Sequence, residues 1–223
     1  MIVVLGSRFD SVADSLVRAL PAAALCSAED LTSPGWTWPL AAVGASRWVI
    51  QGKVVDDREV TGVLVRRTWV YPEEFAQTHP DDREYLAAET LAFLTFVLAR
   101  TGARVINPVQ DGAIGEEIFR IERWLPAAID AGLEPRPLRV SARPEAAALD
   151  SAFAIEVVGG DAFGSPSSDL TTKSVDFVRR LGLAYAVLVF DAEQRLAAIS
   201  AASCPSTAAL PALATLLSRR ASP

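Results

Sequence analysis

The chain has 223 residues, 51% of them hydrophobic and 22% charged, with 13 Gly, 14 Pro and 2 Cys. This excludes a mainly disordered chain, which pairs low hydrophobicity with high net charge, and a disulfide-stapled miniprotein, which needs more cysteine. Lys and Arg number 21 against 27 Asp and Glu, a formal charge of −6, and no basic run exceeds two residues, which argues against nucleic-acid binding.

Ile2–Leu5 is a short aliphatic run closed by Gly6-Ser7, as in a buried parallel strand. Val12, Leu16 and Leu20 then recur at helical spacing across Asp10–Leu20, and Ala23–Cys26 is a second strand. Strand, helix, strand opens a Rossmann-like layer. Trp36 and Trp38 sit in an irregular loop, as a binding platform or a cap on the core. Trp48–Ile50 and Gly62–Arg66 are further strands, and Asp81–Arg100 is a long helix between Pro80 and Gly102. Arg104–Ile106 is a strand ending at Asn107-Pro108, and Gly115–Ala131 a helix kinked at Pro126. Leu138–Val140 is the next strand.

Ser141–Asp150, rich in alanine, is the seam between two parts, residues 1–140 and 151–223. Beyond it lie a hairpin on Gly159-Gly160, a helix over Val175–Leu181, a second hairpin of Tyr185–Phe190 with Arg195–Ile199, and a last helix carrying Leu210, Leu213 and Leu217. The fold class is α/β followed by a smaller α+β part.

Neither GxxxxGK[ST] nor GxGxxG occurs, and the one histidine, His79, gives no zinc set and no triad. Glu89 shares a stripe with Phe93 and Val97 and is expected to face inward, with Arg66 or Arg67 at the end of a strand as its cationic partner. With no signal sequence, no membrane span and two free thiols, Cys26 and Cys204, the chain reads as soluble and cytoplasmic.

In their order, several segments resemble the ATP-grasp ligases that close ester and amide rings on ribosomal peptides. Gly62–Arg67 is similar to the family's "RRP" strand end, Glu89 to the glutamate of its long helix, and Val105–Pro108 to its "NP" strand end. Leu125, Ala128, Gly132-Leu133 and Pro135 match the helix and loop leading into the core, Val157–Gly159 the "VVG" hairpin and Leu181–Tyr185 the "LGLxY" segment. The resemblance implies a Rossmann-like pre-ATP-grasp domain followed by an ATP-grasp core.

The departures from that pattern concern nucleotide and metal. A central lobe of roughly 60–90 residues with a phosphate lysine has no room between Val140 and Ala154, and the lysine expected before Gly132 falls near Ile121. Laid without a gap on the family's metal-binding segment, Leu181–Pro205 puts Val189, Ala202 and Cys204 where Asp, Glu and Asn hold magnesium, and Asp191 lies two residues beyond Val189. Valine, alanine and a thiol do not hold a hard oxygen-seeking ion.

The expectation is therefore a degenerate, truncated ATP-grasp protein: a pseudoenzyme without cofactor or metal, kept as a binding or partner subunit in peptide or natural-product maturation. Its ligand-binding candidates are Arg66, Arg67, Trp69, Glu89 and Asn107. Its partners would be a second copy, an active ATP-grasp ligase, or a peptide or small molecule. The alternative is a shortened ATP-dependent carboxylate–amine ligase, or a fold reused for cysteine chemistry at Cys204.

Overall fold

The computed structural model describes residues 1–40, 45–67, 69–106, 121–137, 152–201 and 204–220. The expected strand Leu138–Val140, the seam Ser141–Asp150 and the start of the helix expected from Gly115 lie outside these residues. The chain divides into two compact units, Met1–Gly115 with Leu213–Pro223, and Glu116–Ala212.

In the first unit, β1 (Ile2–Leu5) is buried along its whole length, as an all-aliphatic run in a parallel sheet requires. The chain turns through Gly6-Ser7 into α1 (Ser11–Ala19), capped by Asp10, whose Oδ1 accepts from the N–H groups of Val12 at 2.9 Å and Ala13 at 3.2 Å. After β2 (Ala23–Cys26) comes the short helix α2 (Ala28–Leu31), and then β3 (Arg47–Ile50) and β4 (Lys53–Asp56) form a hairpin. Its turn residues Gln51 and Gly52 both have positive φ, +53° and +71°, as a two-residue turn of the primed type demands. β5 (Gly62–Val65), α3 (Arg83–Arg100) and β6 (Arg104–Ile106) complete a parallel sheet of order β2-β1-β5-β6. The strand order reverses between β1 and β5.

Trp48 is fully buried on β3, with Trp36 tilted against it at 5.4 Å between ring centroids and Trp38 edge-on at 5.6 Å. Of the two roles open to the loop tryptophans, the structure favours capping the core.

The buried carboxylate of Asp57 ties this unit together. Oδ1 accepts from Trp48 Nε1 at 2.9 Å and from the Thr101 hydroxyl, while Oδ2 accepts from the Gly102 N–H at 3.3 Å and from Arg220 Nη2 at 3.0 Å. Arg220 Nη1 also donates to the carbonyls of Asp57 and Val60. Burial opposes ionisation of Asp57, yet the bonds from Thr101, Trp48, Arg220 and Gly102 outweigh it and hold the carboxyl below the usual aspartate range. The segment carrying Arg220 needs two glycines beneath it. A Cβ on Gly62 would lie 2.4 Å from the Leu217 carbonyl oxygen, and one on Gly102 would lie 2.2 Å from Arg220 Nη2. Leu217 belongs to the last helix, α6 (Leu210–Leu217).

The second unit begins, among the described residues, with α4 (Ile121–Asp130), which contains Pro126 and ends at Gly132 (φ +76°). An antiparallel sheet of order β10-β9-β7-β8 follows, from β7 (Phe153–Val158), β8 (Asp161–Phe163), β9 (Tyr185–Phe190) and β10 (Leu196–Ser200). Helix α5 (Ser168–Arg180) starts earlier than the expected Val175, because Ser167 caps it by accepting from the Leu170 N–H, and its first turns are mostly polar, with Leu170 the one apolar side chain buried there. Trp124, Ala128, Ile155, Phe177, Leu188 and Phe190 share one core.

The compact units differ from the partition at 140 and 151 on two counts. Helix α4 packs through Trp124 and Ala128 into the core of the second unit, and Leu213–Arg220 returns to the first. Among the described residues no helix is long and apolar enough to cross a membrane.

Removing the Arg220 guanidinium strands a buried carboxylate, so Arg220→Ala should lower the stability of the first unit by about 2 kcal/mol, read as a lower urea midpoint at unchanged slope. Because its folded pKa is depressed, the contribution of Asp57 is complete above the ordinary aspartate range, near pH ~4, and is lost as the pH falls below it. Asp57→Asn should flatten the acid limb of the stability–pH curve; an unchanged limb in urea titrations would contradict the assignment.

Candidate functional site

The two arginines that end β5 point to different partners, as successive residues of an extended segment must. Arg66 grips the helix-capping Asp10 with two donors, Nε at 3.0 Å and Nη2 at 3.3 Å, so one carboxylate serves both the α1 N-terminus and the adjacent strand end. Arg67, 8% exposed, donates Nη2 to Glu74 Oε1 on the 3-10 turn Pro72–Phe75.

Glu89 is not the partner of either arginine. It lies exposed on α3, contrary to the inward orientation expected from its spacing to Phe93 and Val97. The cause is helical drift: each step of four residues overshoots a full turn by about 40°, so the stripe that ends on buried Val97 begins on an outward-facing Glu89. The inner face of α3 instead carries Ala87, Leu94 and Leu98. Asn107 lies outside the described residues.

Trp69 is 53% exposed at the edge of a cavity of about 630 Å³. Its walls are Pro72 and the α3 residues Ala88, Leu91 and Ala92, with Glu84 the one charge among the described lining residues. Small side chains on α3 leave the space, and the indole beside them offers a broad apolar surface with a donor N–H. A second cavity, of about 520 Å³, opens over the carboxyl ends of β1, β2 and β5 and is lined in part by Ser7, Phe9, Glu29, Tyr71 and Glu74.

In the second unit, the sheet face where the resemblance puts a metal is apolar at Val189 itself, and its nearest acid is Glu156, one pair along the same face beside Val187 and Ser200. Val189 on β9 pairs with Ala154 of β7 and Ala198 of β10, a patch without an oxygen ligand on any of the three side chains. Asp191 is turned to another task. Its Oδ1 accepts from the N–H groups of Glu193 at 3.1 Å and Arg195 at 2.8 Å, and its Oδ2 from Arg195 Nε at 2.9 Å, closing the β9–β10 turn. Burial opposes its ionisation, but these bonds, led by the Arg195 N–H, hold its carboxyl below the usual range. Ala202 lies outside the described residues. Cys204 is exposed and stands six positions ahead of α6, outside the first turn where a helix N-terminus would act on a thiol. Among the described residues no three of His, Cys, Asp and Glu are grouped to hold a metal ion.

Sequence reasoning missed the buried Glu156 on β7. Both of its oxygens accept from the Ser206 N–H, at 3.2 and 3.0 Å. Burial, reinforced by the neighbouring Glu156 carboxylate, pushes the Tyr185 phenol far up. A glutamate inside the apolar run Ala154–Val158 was the available signal. Asp10 and Asp57 gave none, since exposed turns are full of aspartate.

No family model matches the chain, and no curated protein matches it in sequence. Its fold, however, matches solved structures along almost the whole of both chains. The macrocyclase MdnC from Microcystis aeruginosa MRC, bound with precursor peptide MdnA, superposes with a TM-score of 0.71 at 12% identity over 97% of this chain and 99% of that one. The ATP-grasp ligase PsnB, complexed with precursor peptide PsnA2 and AMPPNP, gives 0.65 at 17% identity over 98% of each chain. The RiPP-associated ATP-grasp ligase of Chryseobacterium gregarium, in complex with ADP and a leader and core peptide, gives 0.67 at 10% identity over 97% and 96%. The chain thus has the fold of RiPP-associated ATP-grasp ligases, and the resemblance read from its motifs holds at the level of fold.

If Asp191 serves the turn, Asp191→Ala should cost about 2 kcal/mol in urea unfolding. Asp191→Asn, which keeps the oxygen that accepts from the two N–H groups, should cost markedly less; equal losses would contradict the assigned role.

Proposed function

We propose that this protein is a non-catalytic ATP-grasp-like pseudoenzyme that acts in the cytoplasm as a binding or partner subunit in peptide or natural-product maturation, without a nucleotide or metal cofactor. The observation that carries the reading is the sheet face around Val189. A ligase of this fold needs oxygen ligands for magnesium there, and this chain offers Val189 between Ala154 and Ala198, while Asp191 is consumed by its own turn and Glu156, the one carboxylate nearby on that face, is engaged by the Ser206 N–H.

On this reading, residues 1–140 descend from a Rossmann-like pre-ATP-grasp domain and residues 151–223 are a reduced ATP-grasp core. The parallel sheet of the first unit and the antiparallel sheet of the second support that division by type. The solved relatives named above carry precursor peptides, which supports a peptide as the ligand here. The cavity beside Trp69 is its docking place, and an active ligase or a second copy of the chain is the partner.

Isothermal titration with Mg-ATP should give no heat, and micromolar binding would overturn the reading. A peptide from the same gene neighbourhood should bind, and Trp69→Ala should weaken it about tenfold, near 1.4 kcal/mol, without changing the unfolding temperature.

A further inference from the structure

Arg67 is the most anomalous charge in the first unit. Its side chain is 7% exposed, so it lies almost wholly out of water, yet Glu74 engages it through Nη2 alone. Among the described residues Nε and Nη1 have no partner, and neither does Oε2 of Glu74. A guanidinium carries five donors in a planar fork, and burying them unpaired is costly. Arg66, one residue earlier, is by contrast gripped by both oxygens of Asp10.

The position of this half-satisfied pair is specific. Arg67 follows β5, next to the point between β1 and β5 where the strand order reverses, and in open α/β sheets the crevice outside the carboxyl ends at such a point is where ligands bind. Glu74 lines the cavity of about 520 Å³ that opens there. Its 3-10 turn also carries the buried Phe75, which holds the backbone, while the Glu74 side chain borders the open space of the cavity.

We propose that Arg67 anchors a carboxylate-binding site which Glu74 fills from within the chain. An incoming carboxylate displaces the Glu74 side chain into the cavity and takes its place on Arg67, using Nε or Nη1 as a further donor. One monoanion replaces another, so the buried guanidinium is never left unpaired. Arg8 at the same cavity is paired with Glu29 at 2.8 Å, so Glu73 and Glu74 leave the lining net negative, which disfavours multiply charged anions and selects a planar carboxylate over a phosphate. The ligand is a small carboxylic acid or the acidic side chain of a peptide. This site does not depend on the functional reading above, which concerns the Trp69 cavity and the second unit.

The test removes the internal occupant. Glu74→Ala leaves Arg67 unpaired and should lower the unfolding temperature. Acetate at tens of millimolar should then recover at least half of that loss, chloride and phosphate at matched ionic strength should not, and the wild-type protein should respond far less. Recovery by every anion alike, or by none, overturns the proposal. Should Glu74→Ala fail to fold, Glu74→Gln keeps the volume and weakens the ion pair, and the Arg67 Nε–H resonance should shift on adding acetate; a static resonance overturns it equally. A capped Ala-Glu-Ala peptide that acts at a tenfold lower concentration than acetate assigns the site to acidic side chains, and equal potency assigns it to small acids. A shift in Mg-ATP or peptide binding at the Trp69 cavity bears on the other reading alone.

Discussion

A carboxylate taken out of water holds the first unit in one arrangement. Asp57 is tolerated there only because Trp48, Thr101, Gly102 and Arg220 all donate to it, and those four residues come from a hairpin strand, the end of a long helix, the loop after it and the far end of the chain. A buried charge lacking any of these donors would be costly, so each segment is fixed by the others. The glycines at 62 and 102 have the same origin: both make room for the Leu217–Arg220 segment that reaches the carboxylate.

The second unit uses its acids in a similar way. Glu156 secures the backbone at Ser206, and Asp191 closes the β9–β10 turn. In an ATP-grasp ligase, acids on such a sheet serve magnesium and nucleotide. Here each is satisfied by neighbouring N–H groups.

Much of this was legible in the sequence, for reasons that can be stated residue by residue. Ile2–Leu5, Tyr185–Phe190 and Leu210–Leu217 carry patterns that admit one reading, and the glycine turn at Gly159-Gly160 fixed a hairpin. The second strand of the first hairpin was missed because Lys53–Asp56 is half polar and exposed, so that only its turn dihedrals betray it. Glu89 was misplaced because a stripe drawn in steps of four drifts around a helix. The pairings Arg66–Asp10, Arg67–Glu74 and Asp57–Arg220 join residues up to 163 positions apart, and no local pattern announces a partner at that distance. The candidate site was half readable: Trp69 does border a cavity, while the two arginines serve partners that periodicity does not reveal.

The return of Leu213–Arg220 to the first unit sets a schedule for biogenesis. As the ribosome extrudes the chain, Trp48, Asp57 and Thr101 emerge first, but the carboxylate waits without its guanidinium until Arg220, 163 positions after Asp57, has been added. The N-terminal half therefore cannot lock vectorially, and the intervening sheet must be synthesised before it does. A truncation or frameshift ahead of Arg220 would then be felt first around Asp57, far upstream in the polypeptide.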